Sequence, residues 1–342
     1  MREEMPDVLI VGAGPAGLGV AIAAHQAGLD YEVLEKGALV NSIFNFPRNQ
    51  IFFTTPELLE IGGLPFVTPY EKPTRVEALR YYRRVAETYR LRMSLGEEVL
   101  DIRPEEGAFR VETLPQQPRG RLGRAARSGA RARSHQRRAR NVVMACGYYD
   151  HPNRLGIPGE DLPHVSHYYF EAHAFYGQRV VVVGGKNSAA LAALDLFRHG
   201  ASVTLVHRGE RLSDSVKYWI RPDIENRIKE GSIAARFSTC LTEITPDCVA
   251  VSGRSGHESL PAEAVFLLTG YHPDDDLLRR AGVRVDPVTY KPEHDPATFE
   301  TNVRGLFVAG SLVSGKETSR IFIENGRFHG EAIVAAIRSG RR

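Results

Sequence analysis

Residues Asp7–Lys36 read DVLIVGAGPAGLGVAIAAHQAGLDYEVLEK. A short apolar run, a glycine turn, a stretch of small and apolar residues and a second apolar run predict strand, turn, helix and strand in that order. Each loop position has a physical reason. Gly12 permits the tight turn, Gly14 lets bare backbone approach a pyrophosphate, and Gly17 lets the helix pack closely on its sheet. Pro15 and Ala16 open the helix, whose N-terminus offers unpaired N–H groups and positive dipole to a phosphate. Glu35 lies 18 residues beyond Gly17, where a carboxylate accepts hydrogen bonds from a ribose, and Lys36 follows it. This stretch predicts a dinucleotide-binding α/β unit.

A second stretch, RVVVVGGKNSAALAALDLFRHGASVTLVHRGE (Arg179–Glu210), repeats the order. Gly184, Gly185, Lys186, Asn187 and Ser188 form its loop, with Lys186 in place of the second glycine and Ala189 in place of the third. A lysine at a helix N-terminus can itself reach a phosphate as a point charge. No acid ends the second strand. His207, Arg208 and Arg211 stand there, a group expected to be cationic and suited to a 2′-phosphate, which favours NADPH over NADH.

Two dinucleotide units without a separate catalytic domain predict two cofactors facing one another: FAD on the first loop and NADPH on the second. The sequence RNVVMACGYYDHPN predicts a strand running into a turn at Gly147, where the chain leaves the FAD domain, and AVFLLTGYHPD predicts the strand on which it returns. TNVRGLFVAGSLVSG adds a strand and a turn at Gly310. RIFIENGRFHGEAIVAAIRSG, holding Ile323 and Gly326, predicts a final helix with Gly326 and Gly330 near its start, its N–H groups aimed at the flavin pyrimidine. The expected organisation is a discontinuous FAD domain, 1–153 and 268–342, with an NADPH domain, 154–267, inserted.

Composition agrees with a globular enzyme or binding protein: 342 residues, 42% apolar and 25% charged. The longest apolar run is broken by glycines and a proline and falls short of the roughly 20 residues of a membrane span. The N-terminus lacks the order of a signal peptide, so a cytoplasmic location is expected. Cys146, Cys240 and Cys248 make neither a disulfide framework nor a Cys-x-x-Cys pair, and no zinc spacing occurs. The net charge of +3 hides an asymmetry: residues 119–140 hold nine arginines and no acid, leaving 35 Lys and Arg against 41 Asp and Glu elsewhere. That segment cannot bury a core and reads as a flexible, solvated insertion in a hairpin of the FAD domain. No aromatics interleave it, which argues against a nucleic-acid partner.

The chain resembles the thioredoxin-reductase-like flavoproteins, and among them the bacillithiol disulfide reductase family of the YpdA type. The resemblance is carried by VLEKGALVNSIFNFPRNQIFFTTPELLEIGGLPF, KPTRVEALRYYRRVAE, GYYDHPNRLGIPGEDLPHVSHYY, VVVVGGKNSAA, KYWIRPDIENRIKEG and IFIENGRFHG, which span nearly all of the chain outside the arginine-rich segment. It implies an FAD enzyme that uses NADPH to reduce the disulfide of a small thiol, often as a homodimer or higher homo-oligomer. Three positions depart from the family pattern. Ala16 stands where a cysteine is usual in GPCG, Cys146 replaces the threonine of an ATG strand end, and Ser311 replaces an acid that binds the ribityl chain. Without the loop cysteine, no catalytic residue is assigned. Cys146 is the remaining thiol candidate, although a cysteine at the end of a buried strand is ordinarily an inert packing residue.

Other readings stay open. The F-x-G-x-x-x-H signature of flavin monooxygenases is not met, since Pro163 and Glu160 stand four residues before His167 and His164. A ferredoxin or flavodoxin reductase needs no catalytic cysteine and would pass electrons to a carrier protein. A redox-sensing flavoprotein without turnover is the reading from another class.

Overall fold

The computed structural model describes residues 5–116, 133–254 and 256–340. The chain forms two compact units, one from the residues up to His151 together with those from Tyr271 onward, the other Pro152–Gly270.

In the first unit, five parallel strands stand in the order Leu306–Val308, Asn141–Met144, Val8–Val11, Tyr31–Glu35, Met93–Leu95. Both faces of this sheet are covered, which is why Val8–Val11 and Leu306–Val308 are apolar throughout rather than alternating. Val8, Ile10, Val33, Val143 and Phe307 pack into a core with the loop helix Pro15–Gln26 and the last helix, His329–Ser339. The residues between them, Leu9, Val11, Leu34, Val142, Met144, Leu306 and Val308, enter a second core with Ile102, Phe109 and Val111. Those last three belong to an antiparallel meander, Glu97–Glu105, Ala108–Pro115 and His135–Ala139.

The second unit is built on the same plan. Its parallel sheet runs Ala234–Arg236, Ser202–Val206, Arg179–Val183, Ala264–Leu267, Val165–Ser166, and its meander is Thr239–Ile244, Cys248–Gly253, Gly256–Pro261. Val180, Val182 and Leu205 face the core that includes helix Asn187–Arg198, while Val181 and Val206 face the meander. Among the described residues no helix is long and apolar enough to cross a membrane.

Two expectations are corrected. The arginine-rich segment is not a loop up to Arg140: His135–Ala139 is a strand paired antiparallel with Ala108–Pro115. It is held because its cations meet carboxylates across the sheet. Arg137 lies 2.8 Å from Glu32, Arg138 lies 3.1 Å from Glu105, Arg140 pairs with Asp7, and Ala139 is fully buried. Of the remainder, residues 119–132 lie outside the described residues. The final helix is also interrupted. Ile323–Gly326 is a separate turn that ends at Gly326, and the last helix starts at His329. The break at Arg327 and Phe328 is pinned by the Arg327 guanidinium, which donates to the carbonyls of Glu57 and Glu60 at 2.7 Å each.

Candidate functional site: two dinucleotide loops

In the first unit, Gly12 has φ +106°, and a Cβ there would lie 2.6 Å from the Ala145 carbonyl oxygen. A Cβ on Gly17 would lie 2.0 Å from the carbonyl oxygen of Gly12, so the helix rests directly on the turn. Gly14 differs: nothing lies within 4 Å of a Cβ placed on it. Its bare backbone opens outward at the head of a 12-residue helix with proline in its first turn and no acid there. Glu35 is 6% exposed. Its carboxylate accepts from the backbone N–H of Ala13 at 2.9 Å and of Gly37 at 2.8 Å. Burial raises its pKa, against the pull of those two N–H groups. Lys36 is paired with Asp150 at 3.1 Å; burial works to lower its pKa, and the Asp150 carboxylate outweighs that and raises it. Open backbone, a helix N-terminus and a fixed carboxylate suit a pyrophosphate and a ribose.

The same superposition of strand, turn and helix occurs in the second unit, with the register fixing which residues correspond. Gly12 donates to Leu34 at 2.7 Å, and Gly184 donates to Val206 at 3.0 Å. The counterparts are therefore Gly12 and Gly184, Ala13 and Gly185, Gly14 and Lys186, Gly17 and Ala189, and Glu35 and His207. Gly184 has φ +148°, and a Cβ there would lie 2.6 Å from the Leu268 carbonyl oxygen, as at Gly12. Lys186 has extended backbone, φ −113°, and needs no glycine. Its side chain is exposed at the head of helix Asn187–Arg198.

His207 is turned onto the loop. A Cβ on Gly185 would lie 2.3 Å from the imidazole, so the ring packs flat on that glycine, and burial, aided by the neighbouring Arg208 cation, lowers its pKa. The cations left for a phosphate are the exposed Arg208, Arg211 and Lys186, with Arg211 also 3.0 Å from Asp214. Asn187 is engaged within the protein. Its amide donates to the Ser215 carbonyl at 3.1 Å and its oxygen accepts from the Lys217 N–H at 2.9 Å, while the Ser213 N–H donates to Gly185 at 2.9 Å. These bonds fold the segment after the second strand back over the loop, which leaves Ser188 as the exposed polar residue of the helix's first turn.

In the first unit, the Gly147 and Gly310 turns lie beside the first loop. A Cβ on Gly310 would lie 2.6 Å from Cβ of Ala16, one on Gly147 would lie 3.7 Å from Ser311 Oγ, and one on Gly326 would lie 3.3 Å from Cα of Gly310. Ala16, Gly310 and Gly326 are thus brought together, with Ile323 at the head of the turn that Gly326 closes. Sequence reading gave His329 no role, yet its Nδ1 accepts the Gly310 N–H at 3.1 Å. Nearby, Phe46, Tyr149 and Tyr271 form an aromatic group with centroids 5.2 and 4.7 Å apart.

The thiol beside these turns, Cys146, is not poised as a thiolate. Cys146 packs against the meander-side core, and burial, with the carboxylates of Asp274 and Asp150, pushes its thiol up to about 12. A reactive thiol instead requires its pKa to be lowered toward neutrality. Cys240 and Cys248 lie in the meander of the second unit.

Comparison with known proteins agrees with this arrangement. Residues 9–119 and 130–310 match the family model for pyridine nucleotide-disulphide oxidoreductases. The chain is 42% identical to the bacilliredoxin reductase Bdr of Bacillus subtilis over 333 residues, 96% of each protein. It superposes on the bacillithiol disulfide reductase Bdr (YpdA) of Bacillus cereus with a TM-score of 0.93 at 38% identity, covering 98% of this chain and 100% of that one. The Staphylococcus aureus enzyme of the same name gives 0.90 at 35% identity, covering 99% of each. A ferredoxin–NADP reductase of Ignicoccus hospitalis is 24% identical over 98% of this chain and 99% of its own length. Members of the matched family are oxidoreductases with the thioredoxin-reductase-like fold, and their cofactors are FAD and NADPH. The chain belongs to the pyridine nucleotide-disulphide oxidoreductase family and, within it, to the bacillithiol disulfide reductases of the YpdA type.

Proposed function

We propose that the protein oxidises NADPH and reduces a low-molecular-weight disulfide, with bacillithiol disulfide as the acceptor, and does so without an enzyme thiol. The relatives' names supply the acceptor, and the observation that carries the rest is the contrast at the loop ends: a buried carboxylate, Glu35, at one, and at its counterpart His207 with Arg208, Lys186 and Arg211 beside it, Arg211 also meeting Asp214. FAD is assigned to Gly12, Gly14, Pro15, Ala16, Gly17, Glu35, Lys36, Gly147, Gly310, Ile323 and Gly326. NADPH is assigned to Gly184, Gly185, Lys186, Ser188, His207, Arg208 and Arg211, with Asn187 holding the covering segment in place. Glu35 has acceptor capacity beyond the two N–H groups it already receives and can take the ribose hydroxyls. His207, neutral and flat on Gly185, presents no negative charge to repel a 2′-phosphate. When bound, the flavin supplies two-electron exchange between the nicotinamide and the disulfide. Overall, NADPH, one proton and the disulfide give NADP⁺ and two thiols.

Ala16 cannot form a mixed disulfide, and the partly buried Cys146 thiol has its pKa pushed up to about 12, so the acceptor is reduced without covalent attachment to the chain. That same lack of a thiol, together with the ferredoxin–NADP reductase relative, supports a second reading in which a carrier protein takes the electrons. Anaerobically reduced protein is to be mixed with bacillithiol disulfide, glutathione disulfide, ferredoxin or flavodoxin. Fastest reoxidation by bacillithiol disulfide is expected, whereas reoxidation by a carrier protein and by no disulfide would replace the first reading with the second.

A further inference from the structure

We infer that His329 is a positioning residue of the flavin site, its Nδ1 serving as the fixed acceptor that holds the Gly310 turn against the first dinucleotide loop. This rests on the assignment of FAD to that loop. The turn needs holding for three reasons. Gly310 adopts φ +68°, its N–H is buried, and its strand-side neighbour Ala309 has its own N–H committed to the Met144 carbonyl at 2.8 Å. Without the imidazole, the Gly310 N–H would be a buried donor with no partner, which is costly. The turn also has no slack, since it is wedged between Ala16 of the loop helix and Gly326. A shift of Gly310 would therefore move directly against the loop.

The imidazole is itself fixed. It is 7% exposed and stacks on Phe299, with centroids 4.1 Å apart and planes at 17°. Phe299 has φ +61°, a conformation rare for a bulky side chain, and it is kept there by hydrogen bonds on both sides: its N–H donates to Asp295 and its carbonyl accepts from Val308. Strain retained beside a functional turn is consistent with a rigid support. His329 also opens the last helix, and the next residue, Gly330, would clash with the Gly19 carbonyl of the loop helix if it carried a Cβ, at 2.7 Å. The ring thus ties the strand-end turn to the start of the last helix, and that helix packs on the loop helix through Gly330. Accepting through Nδ1 requires a neutral ring with its hydrogen on Nε2. Burial, with a contribution from His294, favours that form by pushing the pKa down to about 4.

The test compares His329→Asn, whose Oδ1 can accept in place of Nδ1, with His329→Phe, which keeps a ring against Phe299 and removes the acceptor. Flavin is stripped from each protein and rebinding of FAD is measured by fluorescence quenching. His329→Phe should raise the FAD dissociation constant by about ten- to a hundredfold, and His329→Asn by no more than about threefold. Binding of 2′,5′-ADP should be unchanged in both. If His329→Phe does not fold, His329→Gln takes its place, because its longer side chain cannot put the oxygen at the same point, and it should lose FAD likewise. Wild-type affinity in the acceptor-less variant, or equal losses in the Asn and acceptor-less variants, would overturn the inference. Failure of the wild-type protein to bind FAD at all would instead overturn the assignment of the first loop.

Discussion

The two glycine loops share one backbone and differ in what stands over it. At corresponding places, a carboxylate accepts from the Ala13 N–H in one, and an imidazole lies flat on Gly185 in the other. The first arrangement spends a small residue and an acid to present acceptors to a ribose. The second needs a residue without a Cβ, because the ring occupies the space a side chain would take. The third position differs in the opposite sense, bare backbone at Gly14 and a cation at Lys186, yet the extended conformation at Lys186 makes this substitution sterically free. Equivalent turns can therefore be specialised for different dinucleotides by exchanging charge at two positions, the end of the second strand and the head of the helix.

The comparison is broken most sharply at the third small residue. Gly17→Ala places a Cβ 2.0 Å from the Gly12 carbonyl, whereas the second loop already carries alanine at the counterpart, Ala189. Gly17→Ala should lose FAD entirely and cost at least the upper end of overpacking, about 3 kcal/mol, in chemical denaturation. Ala189→Gly should cost only about 1 kcal/mol, through helix propensity. Comparable costs at the two positions would show that the first loop's helix does not rest more tightly on its turn than the second's.

A smaller effect sharpens the charge contrast. A charge-assisted bond to phosphate contributes about 1.5–3 kcal/mol, so Arg208→Ala should raise the NADPH concentration required for flavin reduction by roughly ten- to a hundredfold and leave NADH nearly unchanged. Equal losses with both nucleotides would mean that the cations do not read the 2′-phosphate.

The doubled plan was legible in the sequence because each unit announces itself locally: two apolar strands, a glycine turn between them and a small-residue helix, all within about thirty residues. What was not legible depends on contacts between distant segments. The ring of His207 on Gly185 could not be read from a cluster of basic residues, and the Asn187 amide looked available until the segment Ser213–Lys217 was found folded onto it. The strand His135–Ala139 has no apolar alternation to reveal it, since its register is set by carboxylates on Glu32 and Glu105. His329 carried no signal at all: a lone histidine in a helix says nothing about the glycine turn 19 residues earlier that it supports.

The smallest expected effect separates the two histidines that frame the comparison. His329 has its folded pKa depressed to about 4 from an ordinary value near 6.5, so the unfolded chain binds the proton first. Stability should thus be complete above about pH 6.5 and decline as pH falls from there through about 4. His207 is lowered too and contributes in the same direction. Denaturation midpoints measured between pH 7 and 4 should fall less steeply in His329→Asn than in the wild-type protein, and less steeply again when His207→Asn is added. Parallel curves for all three would contradict the depressed pKa of both rings.

A chain that holds two dinucleotides and no second redox centre should reveal it in an anaerobic titration with NADPH. The flavin absorbance should be bleached by about one equivalent of NADPH, with no further uptake, because no thiol pair exists to take a second electron pair. Uptake of a second equivalent, or a long-wavelength thiolate-to-flavin band appearing on reduction and abolished by Cys146→Ser, would contradict the account and place a reactive thiol where the structure puts a partly buried one with a raised pKa.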